Sequence, residues 1–213
     1  MTSCGEYQSL LKSNDYNLVY KKAIEYYNKG DYQRAMNLLD GVRSVFVGQA
    51  KAQNIAYYRA FCSYNMKDYQ IASDLFKQFI QTYPESSFAE ECLYMMGFCD
   101  YKASPKPRLD QQVTEKAIRE FQLYLSRYPY SMRKDKVNTY MDEMRDKLSY
   151  KAYLSAKNYY LREHYKAAVI SLQNCLKDYP GSKYREEIMY MLFVSKYQMA
   201  VNSVEDKKVE RYN

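Results

Sequence analysis

The chain has 213 residues, a net charge of +7 and 47% hydrophobic residues, enough for one globular domain or one array of stacked repeats. No apolar run approaches the ~18 residues that a membrane-spanning helix needs. Long runs of one charge sign are absent and the longest basic runs are pairs, such as Lys21-Lys22 and Arg133-Lys134, set among acidic residues; this argues against nucleic acid as a partner.

Residues 1–13 form a mostly polar leader with Gly5 and Ser9, expected to be extended or loose. Asn14 or Asp15 caps a first helix that runs to about Asn28. Gly30 stops it, and Asp31 caps a return helix to about Phe46. Gly48 closes this pair. A third helix spans Ala50 to Met66, and a fourth runs from the Asp68 cap to Tyr83. Ala72, Phe76 and Phe79 give that fourth helix a small residue, a large one four later and an apolar one three after that, with Pro84 as the stop. The same grammar returns as Ala35-Leu39-Val42, as Ala117-Phe121-Tyr124 before Pro129, and as Ala168-Leu172-Cys175 before Pro180. This is the tetratricopeptide pattern of paired antiparallel helices.

The joints Tyr-Pro-Glu-Ser, Tyr-Pro-Tyr-Ser and Tyr-Pro-Gly-Ser place Ser86, Ser131 and Ser182 where a helix N-cap fits. The fifth helix runs to about Lys102, and Ala103 to Asp110, with Pro105 and Pro107, breaks the pattern. Pro84 and Pro129 stand about eleven residues further apart than one ~34-residue repeat, so an insertion lies here. A sixth helix covers Gln111 to Arg127. Met132 to Arg162 holds no Gly or Pro and reads as one long helix or two nearly continuous ones. Helices follow over Tyr165–Asp178 and Lys183–Ala200, and residues 205–213 begin another. The fold expected is an all-α superhelix of about five helix pairs over residues 14–213, with the last pair cut in half.

Tyrosine dominates the composition: 27 of the residues are Tyr and none is Trp. Aligned on Ala23, Ala60, Gly97, Ala156 and Phe193, every copy carries a tyrosine three residues before the anchor (Tyr20, Tyr57, Tyr94, Tyr153, Tyr190). Every copy also carries one four residues after it (Tyr27, Tyr64, Tyr101, Tyr160, Tyr197). The two positions lie about two helical turns apart and share a face. Ile24, Phe61 and Phe98 stand between them in the first three copies, and Lys157 and Val194 in the others. Two readings follow. The rings pack between successive repeats, or Tyr20, Tyr27, Tyr57, Phe61, Tyr64, Tyr94, Phe98 and Tyr101 line a groove for an extended or helical peptide. Tyr32, Tyr69 and Tyr165 start the return helices and read as plugs of the turn within each pair.

No chemistry of catalysis is legible. Five cysteines form no CxxC pair and the one histidine is His164 at a helix start, so neither a metal site nor a cofactor is expected. Glycine-rich phosphate loops are absent from the sequence, and the protein reads as a non-enzyme.

The Tyr-Pro-x-Ser joints, the insertion after Tyr101, the long helix from Met132 and the Thr2-Ser3-Cys4-Gly5 start together resemble the BamD family. Those proteins are lipoproteins of the outer-membrane β-barrel assembly machinery. The resemblance covers the chain from Cys4. It implies a Cys4 that carries acyl chains and tethers the protein to the outer membrane, with Gly5–Ser13 as the tether and the array on the periplasmic face. Met1 stands where the lipobox usually has Leu, so the start resembles a replaced signal peptide and lipidation of the chain as written is not expected. The resemblance further implies C-terminal repeats that dock a BamA-type subunit, and an N-terminal groove for the C-terminal segments of unfolded barrel proteins. A periplasmic tetratricopeptide scaffold for cell-wall or division proteins is the alternative.

Overall fold

The computed structural model describes residues 3–202, with side chains from residue 5; the expected further helix over 205–213 lies outside them. The described residues form ten helices and no strand: α1 (Ser3–Leu11), α2 (Tyr16–Asn28), α3 (Tyr32–Val42), α4 (Ala50–Asn65), α5 (Tyr69–Thr82), α6 (Ala89–Ala103), α7 (Gln112–Arg127), α8 (Lys134–Leu161), α9 (Tyr165–Asp178) and α10 (Arg185–Val201). Short turns make α2/α3 and α4/α5 hairpins, α6 and α7 pack as a pair although residues 104–111 intervene, and α3 packs on α4 as α5 packs on α6. This neighbour-on-neighbour packing is that of a tetratricopeptide-like helical solenoid. The contacts divide the chain into two compact units: Met1–Ser104 with Gln112–Val137, and Pro105–Gln111 with Asn138–Asn213.

The grammar residues are the core. Ala35, Leu39, Ala72, Phe76, Ala117, Phe121, Ala168 and Leu172 are fully buried. The alanines permit close approach, and Gly97 takes this to its limit: a Cβ there would lie 2.9 Å from Cδ1 of the buried Phe121 ring. The turns that follow α2, α4 and α8 close with a residue in the left-handed region, Gly30 (φ 80°), Lys67 (φ 68°) and Glu163 (φ 60°). The amide after it reaches back across the turn, as Asp31 N does to Tyr26 O and Asp68 N to Ser63 O, the hydrogen bonding of a helix C-terminal motif. Asp31 then caps α3 by accepting from the Arg34 amide at 3.2 Å, and Asp15 caps α2 through Leu18 at 3.0 Å.

Two expectations are corrected and a third is narrowed. The leader contains a helix, α1, because Tyr7 and Leu10, three apart, are buried in the first core cluster. The Tyr7 ring meets Tyr26 edge-on, and its hydroxyl accepts from Asn37 at 3.0 Å. A helix this short needs such tertiary contacts to persist. The joint serines do not occupy the N-cap: α6 begins at Ala89, and Ser86 Oγ accepts instead from the Phe88 amide, as Ser131 does from Arg133 and Ser182 from Tyr184. These are hydroxyl turns that steer the chain into the helix a few residues later. Of the two readings of the stretch after Met132, the single long helix is the one found, unbroken over 28 residues.

Candidate functional site

The tyrosines three before each anchor sit on α2, α4, α6, α8 and α10, the first helices of the pairs. Tyr57 of α4 donates its hydroxyl to Glu91 Oε2 of α6 at 2.8 Å, and Tyr153 of α8 donates to Glu187 Oε2 of α10 at 2.7 Å. Both pairs are 34 residues apart, one repeat, so these tyrosines bridge repeats through their hydroxyls. Burial first, and the Glu91 carboxylate second, hold the Tyr57 phenol well above its ordinary range; it stays a donor at any physiological pH.

In the first unit the rings form a connected strip. Tyr27 meets Tyr58 at 4.9 Å, and Tyr58 meets Tyr57 at 5.5 Å. Tyr57 lies 4.6 Å from Phe61, Phe61 leads to Tyr64, and Tyr64 reaches Phe98 of α6 at 6.2 Å. Phe98 stacks on both Tyr94 and Tyr101. Tyr27 and Tyr64 are held in place by Tyr32 and Tyr69 at the starts of α3 and α5. Burial pushes the Tyr27 phenol up to about 12. Tyr20 packs on Phe46 and lines a cleft of about 500 Å³ with Ile24, Asn28, Asn54, Tyr57 and Phe88.

The eight ring and groove residues are therefore not equivalent. Tyr20, Tyr27, Tyr57, Phe61, Tyr64, Phe98 and Tyr101 are half-buried, with ring surface left to solvent. Tyr94 is only 7% exposed: it packs on Phe121 and Tyr124 beneath the Arg133 guanidinium, and it supports the strip from below. Beyond the third pair the strip changes character. Tyr153 is buried and stacks on Tyr184 at 4.3 Å. Lys157, standing where Phe61 and Phe98 stand, binds Glu187 at 2.7 Å. Tyr190 and Tyr197 on α10 are exposed, with Phe193 at 71% and Met189 beside them in sequence. The expected ten-ring groove is thus a strip on α2, α4 and α6 and a separate exposed face on α10.

Cys4 lies in α1, and its side chain is outside the described residues. The residues that sequence reasoning missed are Phe88, which meets Tyr57 at 4.6 Å, and Tyr58. The Glu91 and Glu187 partners also escaped it, though both stand six residues before their anchors, a regularity readable once the copies are aligned. Among the described residues no group of three or more His, Cys, Asp or Glu could hold a metal ion, and no helix is long and apolar enough to cross a membrane. What the strip offers is ring surface, amide side chains and hydroxyls: a surface for apolar and aromatic side chains of a peptide.

A family model described as an outer membrane lipoprotein, YfiO, matches residues 12–211. Among curated proteins no match is found.

Proposed function

The chain belongs to the YfiO family of outer membrane lipoproteins, and from that premise we propose that it is a non-catalytic adaptor of the β-barrel assembly machinery, of the BamD type. In this reading Cys4 is the acylated residue that holds the protein at the periplasmic face of the outer membrane. The aromatic strip of α2, α4 and α6 receives the C-terminal segments of unfolded barrel proteins, and α10 presents its apolar face to a BamA-type subunit. The observation that carries the client-binding role is the cleft between α2 and α4, where Tyr20, Ile24, Tyr57 and Phe88 leave apolar surface open beside Asn28 and Asn54. Rings supply contact area at low entropic cost, and the amides can hydrogen-bond a peptide backbone.

The test is a photo-crosslinking residue at Tyr57 in the lipidated protein, in cells. Barrel-protein C-termini in the crosslinked product are the expected outcome. Capture of a cell-wall synthase in their place, with no barrel client, would overturn the client-binding role in favour of a periplasmic scaffold.

A further inference from the structure

The three Tyr-Pro-x-Ser joints share one backbone design. In each, the serine amide donates to the carbonyl of the tyrosine before the proline, and the serine hydroxyl accepts from the amide two residues on. In two of them the residues flanking the serine are polar or lack a side chain, Glu85 and Ser87 in the first and Gly181 and Lys183 in the last. In the middle joint they are Tyr130 and Met132, and these are 98% and 102% exposed. The fold does not need them, since the same turn forms without them. A tyrosine and a methionine held entirely in water lose the stabilisation that burial gives such side chains, about 1.5–3 kcal/mol for a methionine-sized group.

The charge around this tip is also unlike that of its counterparts. Along the chain, Arg127, Arg133, Lys134 and Lys136 stand here against Asp135, whereas the first joint is followed by Glu90 and Glu91. In space those two carboxylates meet the base of the middle turn, Glu90 accepting from the Ser131 hydroxyl at 2.7 Å, so the cationic excess at the tip itself is carried by the exposed Lys134 and Lys136. Arg133 is anchored to Glu91 at 3.7 Å, and Arg127 reaches the Pro84 carbonyl at 3.4 Å. Both are thereby held at the base of the turn.

We propose that the Tyr130–Met132 turn is a membrane-contact tip: the two side chains enter the headgroup region of an anionic phospholipid surface while the surrounding cations meet the lipid phosphates. Two exposed side chains are far too little for a stable protein interface, which buries about 800 Å² on each partner. They suffice for shallow insertion, where tyrosine favours the interface and each nearby Lys or Arg adds about 1 kcal/mol. A family of outer membrane lipoproteins brings such a surface within reach, and the tip is a second attachment, separate from any acyl chain. The inference rests on family membership and not on the adaptor reading.

The chain contains no tryptophan, so Tyr130→Trp creates a single reporter. The unlipidated chain is mixed with vesicles of phosphatidylethanolamine containing phosphatidylglycerol, and separately with pure phosphatidylcholine. The expected result is a blue-shifted emission, quenched by brominated lipid, on the anionic vesicles alone. Y130S/M132S is expected to weaken co-sedimentation with those vesicles at least about tenfold, with an unchanged circular dichroism spectrum. Lys134→Gln is expected to weaken it less, and added salt to weaken it further. An unshifted emission, or a Y130S/M132S variant that sediments like the parent, overturns the proposal. So does a shift produced only by a protein partner, which would make the tip a docking element.

Discussion

At the scale of single residues, the fold depends on positions where an atom more or a proton less is felt. Gly97→Ala places a Cβ 2.9 Å from a ring that is fully buried and has nowhere to move. Denaturant unfolding is expected to show a loss of about 1–3 kcal/mol. Lys67 and Glu163 hold left-handed backbone that Gly30 adopts without strain, so Lys67→Gly is expected to leave stability level or raise it by about 0.5–1 kcal/mol, read from the same unfolding curves. A buried polar cluster joins α5, α6 and α7: Lys116 Nζ binds Asp100 at 2.8 Å, Ser73 donates to the same carboxylate, and one oxygen of Glu120 is buried without a partner. Burial and the Asp100 carboxyl push Glu120 up to about 8. The folded protein therefore keeps a proton there that the unfolded chain has released. Its contribution to stability is present at low pH and falls as pH rises from about 4.5 through about 8. Glu120→Gln is expected to flatten that fall, measured as the difference in melting temperature between about pH 5 and about pH 9.

At the scale of elements, the helix pairs were legible because their grammar is local: a small residue, a large one four later and a proline stop recur at helical spacing. The insertion after Tyr101 and the long helix α8 were visible for the same reason, as departures from a fixed repeat length. Helix α1 was not, since nothing in a short polar segment announces that Tyr7 will find Tyr26 and Asn37. The candidate site was half legible. Alignment fixed which tyrosines share a face, but whether a ring lines a groove or supports it depends on the return helix behind it, as Phe121 and Tyr124 do behind Tyr94. On α10 the anchor position is taken by Phe193, which lies open where Ala60 is buried. A double change, Tyr190→Ala with Phe193→Ala, is expected to leave the melting temperature within a few degrees of the parent. If α10 docks a BamA-type subunit, as proposed above, the change weakens co-purification of such a subunit at least about tenfold, the size of an interface hot spot; undiminished co-purification would remove α10 from that proposed role.

At the scale of the whole molecule, the first unit has a core cluster around Val19, Leu39 and Ile55, and the second has one around Ala156, Leu172 and Ile188. Repeat arrays derive stability from neighbour contacts and open in segments. Leu172→Ala is expected to cost about 2–5 kcal/mol and to speed amide hydrogen exchange in α9 and α10 well before α4 and α5. The described thiols add a second readout. Cys62, Cys92 and Cys99 are buried in the first unit and Cys175 in the second, and burial holds Cys62 and Cys92 up at about 12. A thiol so shielded and so reluctant to ionise reacts only in the moments when its helix has swung away. Nature has thus left a stopwatch in each half: the pace at which an alkylating reagent marks Cys62 and Cys175 times the breathing of one half against the other, with no label engineered in.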